Sequence, residues 1–247
     1  MEDIMIDINF DKVNQKVHFI GIGGISMSGL AEILLKKGFK VSGSDMKNSK
    51  IINHLEEVGV NFHLGHLASN IKNDIDFVVH TAAIKDDNPE LIEARQRNLK
   101  VLDRAELLGQ IMKNFPYSIA VSGTHGKTTT TSMLSHILLQ AKKDPTISVG
   151  GILDVIKGNI RTGNSEYFIT EACEYYDSFL KLHPYIGIIL NVDEDHLDYF
   201  KDINHIRESF ITFAKRIPES GALIINGDIE NLHSILDEVN CKIITFG

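Results

Sequence analysis

The chain has 247 residues, length enough for one or two domains with a sizeable core, and a net charge of −8 with no Lys/Arg cluster, which excludes a nucleic-acid partner gripped through its phosphates. Only Cys173 and Cys241 occur, without metal-ligand spacing, so a disulfide framework is not expected. The longest apolar stretch, 185–190, is too short to insert in a membrane, and the first 14 residues carry acids and no hydrophobic signal core, so a cytoplasmic protein is expected.

The first half alternates strand and helix patterns. Residues 16–20 read as a buried strand, followed by Gly21-Ile22-Gly23-Gly24 and a helix over about 26–37. A second strand, 40–44, ends on Asp45, and 76–80 is a third. Residues 89–97 read as a helix with Pro89 in its first turn, and 99–102 and 104–112 as another strand and helix. Repeated β-α units with short connections predict a parallel, doubly wound sheet. The segment Lys113-Asn114-Phe115-Pro116-Tyr117 interrupts the alternation, which puts a first domain at 1–114 and a second at 115–247.

The second half restarts it. An apolar run, 118–121, leads into Ser122-Gly123-Thr124-His125-Gly126-Lys127-Thr128-Thr129 and then a helix-like run, 131–139. Strands are expected at 165–170, ending on Glu171, and at 185–190, the latter apolar enough to be buried on both faces. A helix at 203–216, a strand at 222–225, a helix at 229–239 and a strand at 242–246 complete the pattern. The sequence stops directly after a core strand, so a truncated second domain is expected.

Strand, glycine loop, lysine, hydroxyl, helix is the order of a phosphate cradle. Glycines let backbone N–H groups turn toward phosphate oxygens, and the helix N-terminus adds partial positive charge. Lys127 would reach the terminal phosphates and the Thr128 hydroxyl would ligate Mg²⁺, so a nucleoside triphosphate is expected. Val121 stands where the general pattern has its first glycine. The earlier glycine turn resembles a dinucleotide fingerprint with Ser26 in place of the third glycine, and Asp45 lies where an acid would meet a ribose hydroxyl. By itself this marks a diphosphate at a helix N-terminus and leaves its nucleotide open. Glu171, at a strand end, is placed to hold Mg²⁺. The cluster Asn191-Val192-Asp193-Glu194-Asp195-His196 follows the next strand and is a candidate for a second cation.

Taken together, Gly21-Ile22-Gly23-Gly24 with Met27-Ser28-Gly29, Gly123 through Thr129, Glu171-Ala172-Cys173-Glu174, and Asn191 with Asp195-His196 and Asp198 resemble the Mur ligases of peptidoglycan assembly. The likeness runs from about residue 16 to 247, and Val121 fits it, because these ligases use a shorter glycine loop. The resemblance implies a Rossmann-like parallel-sheet domain followed by a P-loop ATPase-type α/β domain. It implies UDP-N-acetylmuramate, ATP and L-alanine as reactants and Mg²⁺ as cofactor. It puts Gly21, Gly23, Gly24 and Ser26 at the diphosphate and Asp45 near the uridine end, with His66, Thr81 and Arg104 facing the sugar nucleotide. Where this family usually carries Ser-Ser, Thr81-Ala82 stand here, and Cys173 replaces a common Asp. Gly123, Thr124, His125, Gly126, Lys127, Thr128 and Thr129 would bind ATP, with Lys127, Glu171 and His196 catalytic and Thr128, Glu171 and His196 holding metal. The family's chemistry runs through an acyl phosphate that an amine then attacks. These ligases carry a third, C-terminal domain, which this sequence does not reach. Three other readings stay open at this point: a family member that joins a tripeptide to the same UDP-sugar, a non-catalytic UDP-sugar-binding module, and an NAD-dependent oxidoreductase resting on Gly21 to Asp45 alone.

Overall fold

The computed structural model describes Ile8, Phe10 and residues 14–247, so most of the acidic N-terminal stretch lies outside the described residues. The chain divides into two compact units, the first ending at Leu107 and the second starting at Leu108. The division falls inside a helix, a few residues before the 113–117 interruption.

The first unit is a five-stranded parallel sheet. Its strands are β1 (Lys16–Ile20), β2 (Lys40–Asp45), β3 (Asn61–Leu64), β4 (Phe77–His80) and β5 (Lys100–Asp103), in the order β3-β2-β1-β4-β5. The helices are α1 (Ile25–Lys36), α2 (Lys50–Glu57), α3 (Pro89–Gln96) and α4 (Arg104–Met112). Val17, Phe19, Val78 and Val79 are buried, as a sheet flanked by helices requires. Local chemistry fixes the helix starts. Asn88 caps α3 by accepting from the N–H groups of Glu90 and Leu91, with Pro89 in the first turn. Asp103 and Glu106 cap α4 reciprocally, at 2.7 and 2.9 Å. The strand order reverses between β1 and β4, which makes a topological switch point at their carboxyl ends.

The second unit is a seven-stranded sheet. In chain order it comprises β6 (Tyr117–Ser122), β7 (Thr146–Leu153), β8 (Gly158–Arg161), β9 (Tyr167–Glu171), β10 (Ile186–Ile189), β11 (Ala222–Asn226) and β12 (Lys242–Phe246), arranged β12-β11-β10-β6-β9-β7-β8. Its helices are α5 (Lys127–Gln140), α6 (Ile203–Ala214) and α7 (His233–Leu236). Phe179, Phe210 and Phe213 are fully buried, with Phe179 and Phe213 stacked at 4.9 Å. Strand β6 lies between β9 and β10, so its carboxyl end opens between theirs.

Three expectations are corrected, and the strand pairing of the second unit adds a feature that the sequence did not announce. The second sheet is mixed, because β7 and β8 pair antiparallel as a short hairpin. Strand β10 is buried unequally on its two faces: Gly187 and Ile189 are buried, whereas Ile186 and Ile188 stay partly accessible. The helix expected over 229–239 contracts to α7 within a run of turns. Helix α5 starts at Lys127, so the lysine and hydroxyls that follow the glycine loop form its first turn. Among the described residues no helix is long and apolar enough to cross a membrane.

Candidate functional site

In the first unit the expected residues line up along one edge. Gly21 follows β1, Asp45 ends β2, His66 follows β3, Thr81 follows β4 and Arg104 follows β5, so each strand contributes at its carboxyl end. Gly21 has φ +81, and a Cβ there would lie 2.7 Å from the Thr81 methyl, so only glycine permits this approach at the switch point. The Ser44 carbonyl accepts from the N–H groups of Gly21 and Ile22 at 2.9 and 3.0 Å, and Asp45 Oδ2 accepts from Gly23 N–H at 2.9 Å. Asp45 therefore braces the glycine turn. Gly24 starts α1 without a side-chain cap, leaving its first turn, with Ser26, available to an anion.

His66 is drawn into a buried network. Its Nδ1 lies 2.8 Å from Ser44 Oγ and 3.1 Å from Glu90 Oε2. Glu90, wholly inaccessible, also accepts from Ser44 Oγ at 2.5 Å and from Asn70 Nδ2 at 2.6 Å, and His18 Nε2 stands 3.5 Å away. Burial by itself would raise this carboxyl group, but the contacts from His18, Ser44 and Asn70 more than offset it and hold Glu90 below its usual value. Nearby, burial pushes His63 down, and His18 and Lys72 add to the effect.

In the second unit the loop after β6 is tied to strands on both sides. Asn191, after β10, clamps His125: its Oδ1 accepts from His125 N–H at 2.8 Å and its Nδ2 donates to His125 O at 3.2 Å. Thr124 Oγ1 accepts from Asp193 N–H at 2.9 Å. Gly126 turns into α5 with φ +81, a conformation side chains other than glycine rarely adopt, and it too lacks a side-chain cap. Lys127 Nζ donates to the carbonyls of Gly123 and Thr124 at 2.6 and 3.1 Å. It also meets Glu174, at 3.1 Å from Oε1 and 2.9 Å from Oε2.

On the β9 side, Thr128 Oγ1 donates to Glu171 Oε2 at 3.1 Å, and Gly150 N–H donates to Glu171 Oε1 at 2.6 Å. A Cβ on Gly150 would lie 2.7 Å from that carboxylate, so the glycine of β7 makes the approach possible. His196 stands on the β10 side with its Nε2 3.7 Å from Glu174 and its ring 4.4 Å from that of Tyr175. Two phenol–carboxylate bonds pin this stretch, Tyr175 to Asp198 and Tyr199 to Asp177, each at 2.6 Å. The Asp177 bond pushes the Tyr199 phenol up to about 12, and Asp198 raises Tyr175 likewise. A cleft of 460 Å³ opens beside Asn191, lined by Asp193, Arg207, Asn226 and Asp228 among others. Its several acids distinguish it from the glycine loop that precedes α5.

The structure thus joins Lys127, Thr128 and Glu171 directly or through the loop, and reaches His196 through Glu174. Among the described residues no three His, Cys, Asp or Glu side chains form a ready metal cage. Sequence reasoning overlooked Gly150, Glu174 as a partner of Lys127, and Asn191 as a clamp. The second acid of Glu-Ala-Cys-Glu and the Gly150-Gly151 pair were their visible signals.

Comparison with known proteins agrees with this architecture. The profile of the Mur ligase family, catalytic domain, matches residues 16–116, and that of the Mur ligase middle domain matches 121–247, more than half of the chain. The chain belongs to the Mur ligase family. The UDP-N-acetylmuramate–L-alanine ligase of Clostridium tetani (strain Massachusetts / E88) is 60% identical to this Mur ligase chain over 242 residues, 98% of this chain and 53% of that protein. Among solved structures, the UDP-N-acetylmuramate-alanine ligase of Thermotoga maritima is 32% identical with a TM-score of 0.75, covering 87% of this chain and 50% of that one. The UDP-N-acetylmuramate:L-alanyl-gamma-D-glutamyl-meso-diaminopimelate ligase of Neisseria meningitides is 28% identical with a TM-score of 0.82, covering 95% and 78%. The chain spans about half the length of the curated relatives it matches.

Proposed function

We propose that this chain carries the sugar-nucleotide and ATP sites of a cytoplasmic ligase that joins L-alanine to UDP-N-acetylmuramate in peptidoglycan precursor synthesis. The observation that carries the reading is the meeting of Lys127, Thr128 and Glu171 at the carboxyl ends of the parallel strands β6 and β9, behind a glycine loop and an uncapped helix start. The 60% identity to L-alanine ligases favours alanine as the amine over a tripeptide, although the tripeptide ligase superposes well.

In the reaction, a lactyl carboxylate oxygen of UDP-N-acetylmuramate attacks the γ-phosphorus of ATP. The bond to the ADP oxygen breaks, giving ADP and an acyl phosphate. The alanine amine then attacks the acyl carbon, the C–O bond to phosphate breaks, and the amine gives up a proton as amide and phosphate form. Both reacting partners of the first step are anions, so the site must offset their repulsion and align them. Lys127 contributes a fixed positive charge at the γ-phosphate, and the loop amides from Gly123 to Thr129 cradle the phosphate chain. Thr128 and Glu171 present hard oxygen donors 3.1 Å apart, a donor set that would hold Mg²⁺. Bound there, Mg²⁺ supplies further positive charge against the phosphates. His196 belongs to the outer part of this site, near Glu174. Gly21, Gly23, Gly24 and Ser26 receive the UDP diphosphate at the start of α1, with Asp45, His66, Thr81 and Arg104 around it.

The test is phosphate release from ATP that requires both UDP-N-acetylmuramate and an amine, with L-alanine compared against tripeptide. Release with L-alanine, lost in Lys127→Ala, is expected. Undiminished release from Lys127→Ala would contradict the reading.

A further inference from the structure

Glu174 lies at the centre of the second unit's site without a role in the reaction as written. Its carboxylate is 2% exposed, and an isolated charge at such depth is costly unless compensated. Lys127 compensates it at 2.9 and 3.1 Å, while the carbonyls of Gly123 and Thr124 take up the rest of the ammonium. An ammonium has three donors, and here all three point to the protein. Any phosphate that engages Lys127 must therefore replace one of these partners. The loop carbonyls are fixed by the backbone, tied through Asn191 and Asp193, so the carboxylate is the contact free to be exchanged. His196 Nε2, 3.7 Å from Glu174 Oε1, is the group next to receive the carboxylate.

We propose that Glu174 is a positioning residue that holds Lys127 within the phosphate loop, gives it up to the incoming nucleotide phosphates and then pairs with His196. The contact restrains nucleotide affinity, because it must be broken before Lys127 can bind phosphate. This rests on reading Gly123–Thr129 as the ATP loop, and the experiment separates the two.

The decisive variant is Glu174→Gln, which keeps the shape and removes the charge. Two quantities are measured: the Kd for Mg-ATP by calorimetry and the unfolding temperature without nucleotide. The expected result is a Kd lower by about tenfold, the worth of one charge-assisted hydrogen bond, with a lower unfolding temperature. Opposite signs are what a contact present before binding and lost on binding requires. A shift of the Lys127 ammonium ¹⁵N signal on adding ATP to the unaltered protein separates this from repulsion added to a contact that persists. Weaker binding together with lower stability would show a merely structural role and overturn the proposal. Tighter binding with unchanged stability would show simple repulsion between Glu174 and phosphate, which overturns it as well. An unchanged amide NMR spectrum of the second unit away from Glu174 verifies that the variant is folded. If Glu174→Gln does not fold, the Lys127 ammonium ¹⁵N signal of the unaltered protein decides. Slow exchange with water and a shift on adding ATP are expected, and a freely exchanging ammonium contradicts the contact. Failure of the unaltered protein to bind ATP at all would overturn the ATP-loop reading and this inference together, whereas normal ATP binding with no gain in the variant overturns the inference alone.

Discussion

The two units use the same device, a glycine turn between a central strand paired parallel on both sides and a helix without a side-chain cap, yet they prepare it oppositely. In the first unit an acid braces the turn: Asp45 takes the N–H of Gly23, and Ser44 takes those of Gly21 and Ile22. On the proposed function, recognition there would fall to the start of α1 and to residues arriving from five strand ends. In the second unit a cation occupies the turn, with Lys127 bound to the loop carbonyls and Glu174. A braced turn without a lysine suits a diphosphate that is held but not transferred. A turn built around a lysine suits a phosphoryl group whose charge must be neutralised as it moves. The two helix starts differ in backbone, extended at Gly24 and left-handed at Gly126. On the proposed function, the charged side chain placed at the turn distinguishes binding from transfer.

Lys127→Ala breaks this contrast most severely. ATP-dependent turnover should fall by at least about 10³-fold, while UDP-N-acetylmuramate binding measured by calorimetry stays unchanged. Gly23→Ala is the counterpart in the first unit, since its Cβ would meet Asp45 Oδ2 at 2.9 Å and Ile52 at 3.1 Å. Displacing the turn should weaken UDP-N-acetylmuramate binding by about 10²-fold and leave ATP binding alone. Equal losses for both ligands in either variant would deny that the units work separately.

A smaller effect is expected from Glu90→Gln, which removes the charge anchoring His66, Ser44 and Asn70 and should cost about 2 kcal/mol at pH 7 by urea unfolding. Glu90 is held below its unfolded value of about 4.3, so its contribution is present above that pH and disappears as pH falls through the folded value. The difference between the two proteins should therefore narrow on acidification below about pH 4. A gap that persists or widens there would show that charge is not what Glu90 supplies. Asn191→Ala should give the smallest change, about 1 kcal/mol, with faster hydrogen exchange at the His125 amide and none in the first unit.

Much of this was legible in the chain. Strands β1, β4 and β6 announce themselves as short β-branched or apolar runs ending in glycine or turn residues, and Lys127, Thr128 and Glu171 were recognisable from motif and strand-end position. Strand β3 was not, because Asn61-Phe62-His63-Leu64 is brief and half polar. Strand β7 hid behind Gly150 and Gly151, whose lack of side chains weakens any strand pattern while admitting Glu171. The His18–Glu90–His66 network was invisible for another reason. Its members come from β1, α3 and the loop after β3, and only the sheet order brings them together. Glu174 stood in a recognised motif, yet its service to Lys127 depends on α5 starting at the lysine itself.

The most direct test of the central claim, two separate nucleotide sites of different kinds, is thermal unfolding of the chain with UDP-N-acetylmuramate, Mg-ATP or NAD. A ligand at 100 times its Kd stabilises by about 2.7 kcal/mol, enough to observe. The account predicts stabilisation by UDP-N-acetylmuramate and by Mg-ATP, additive when both are present, and none by NAD. Stabilisation by NAD, or mutual exclusion of UDP-N-acetylmuramate and ATP, would contradict it.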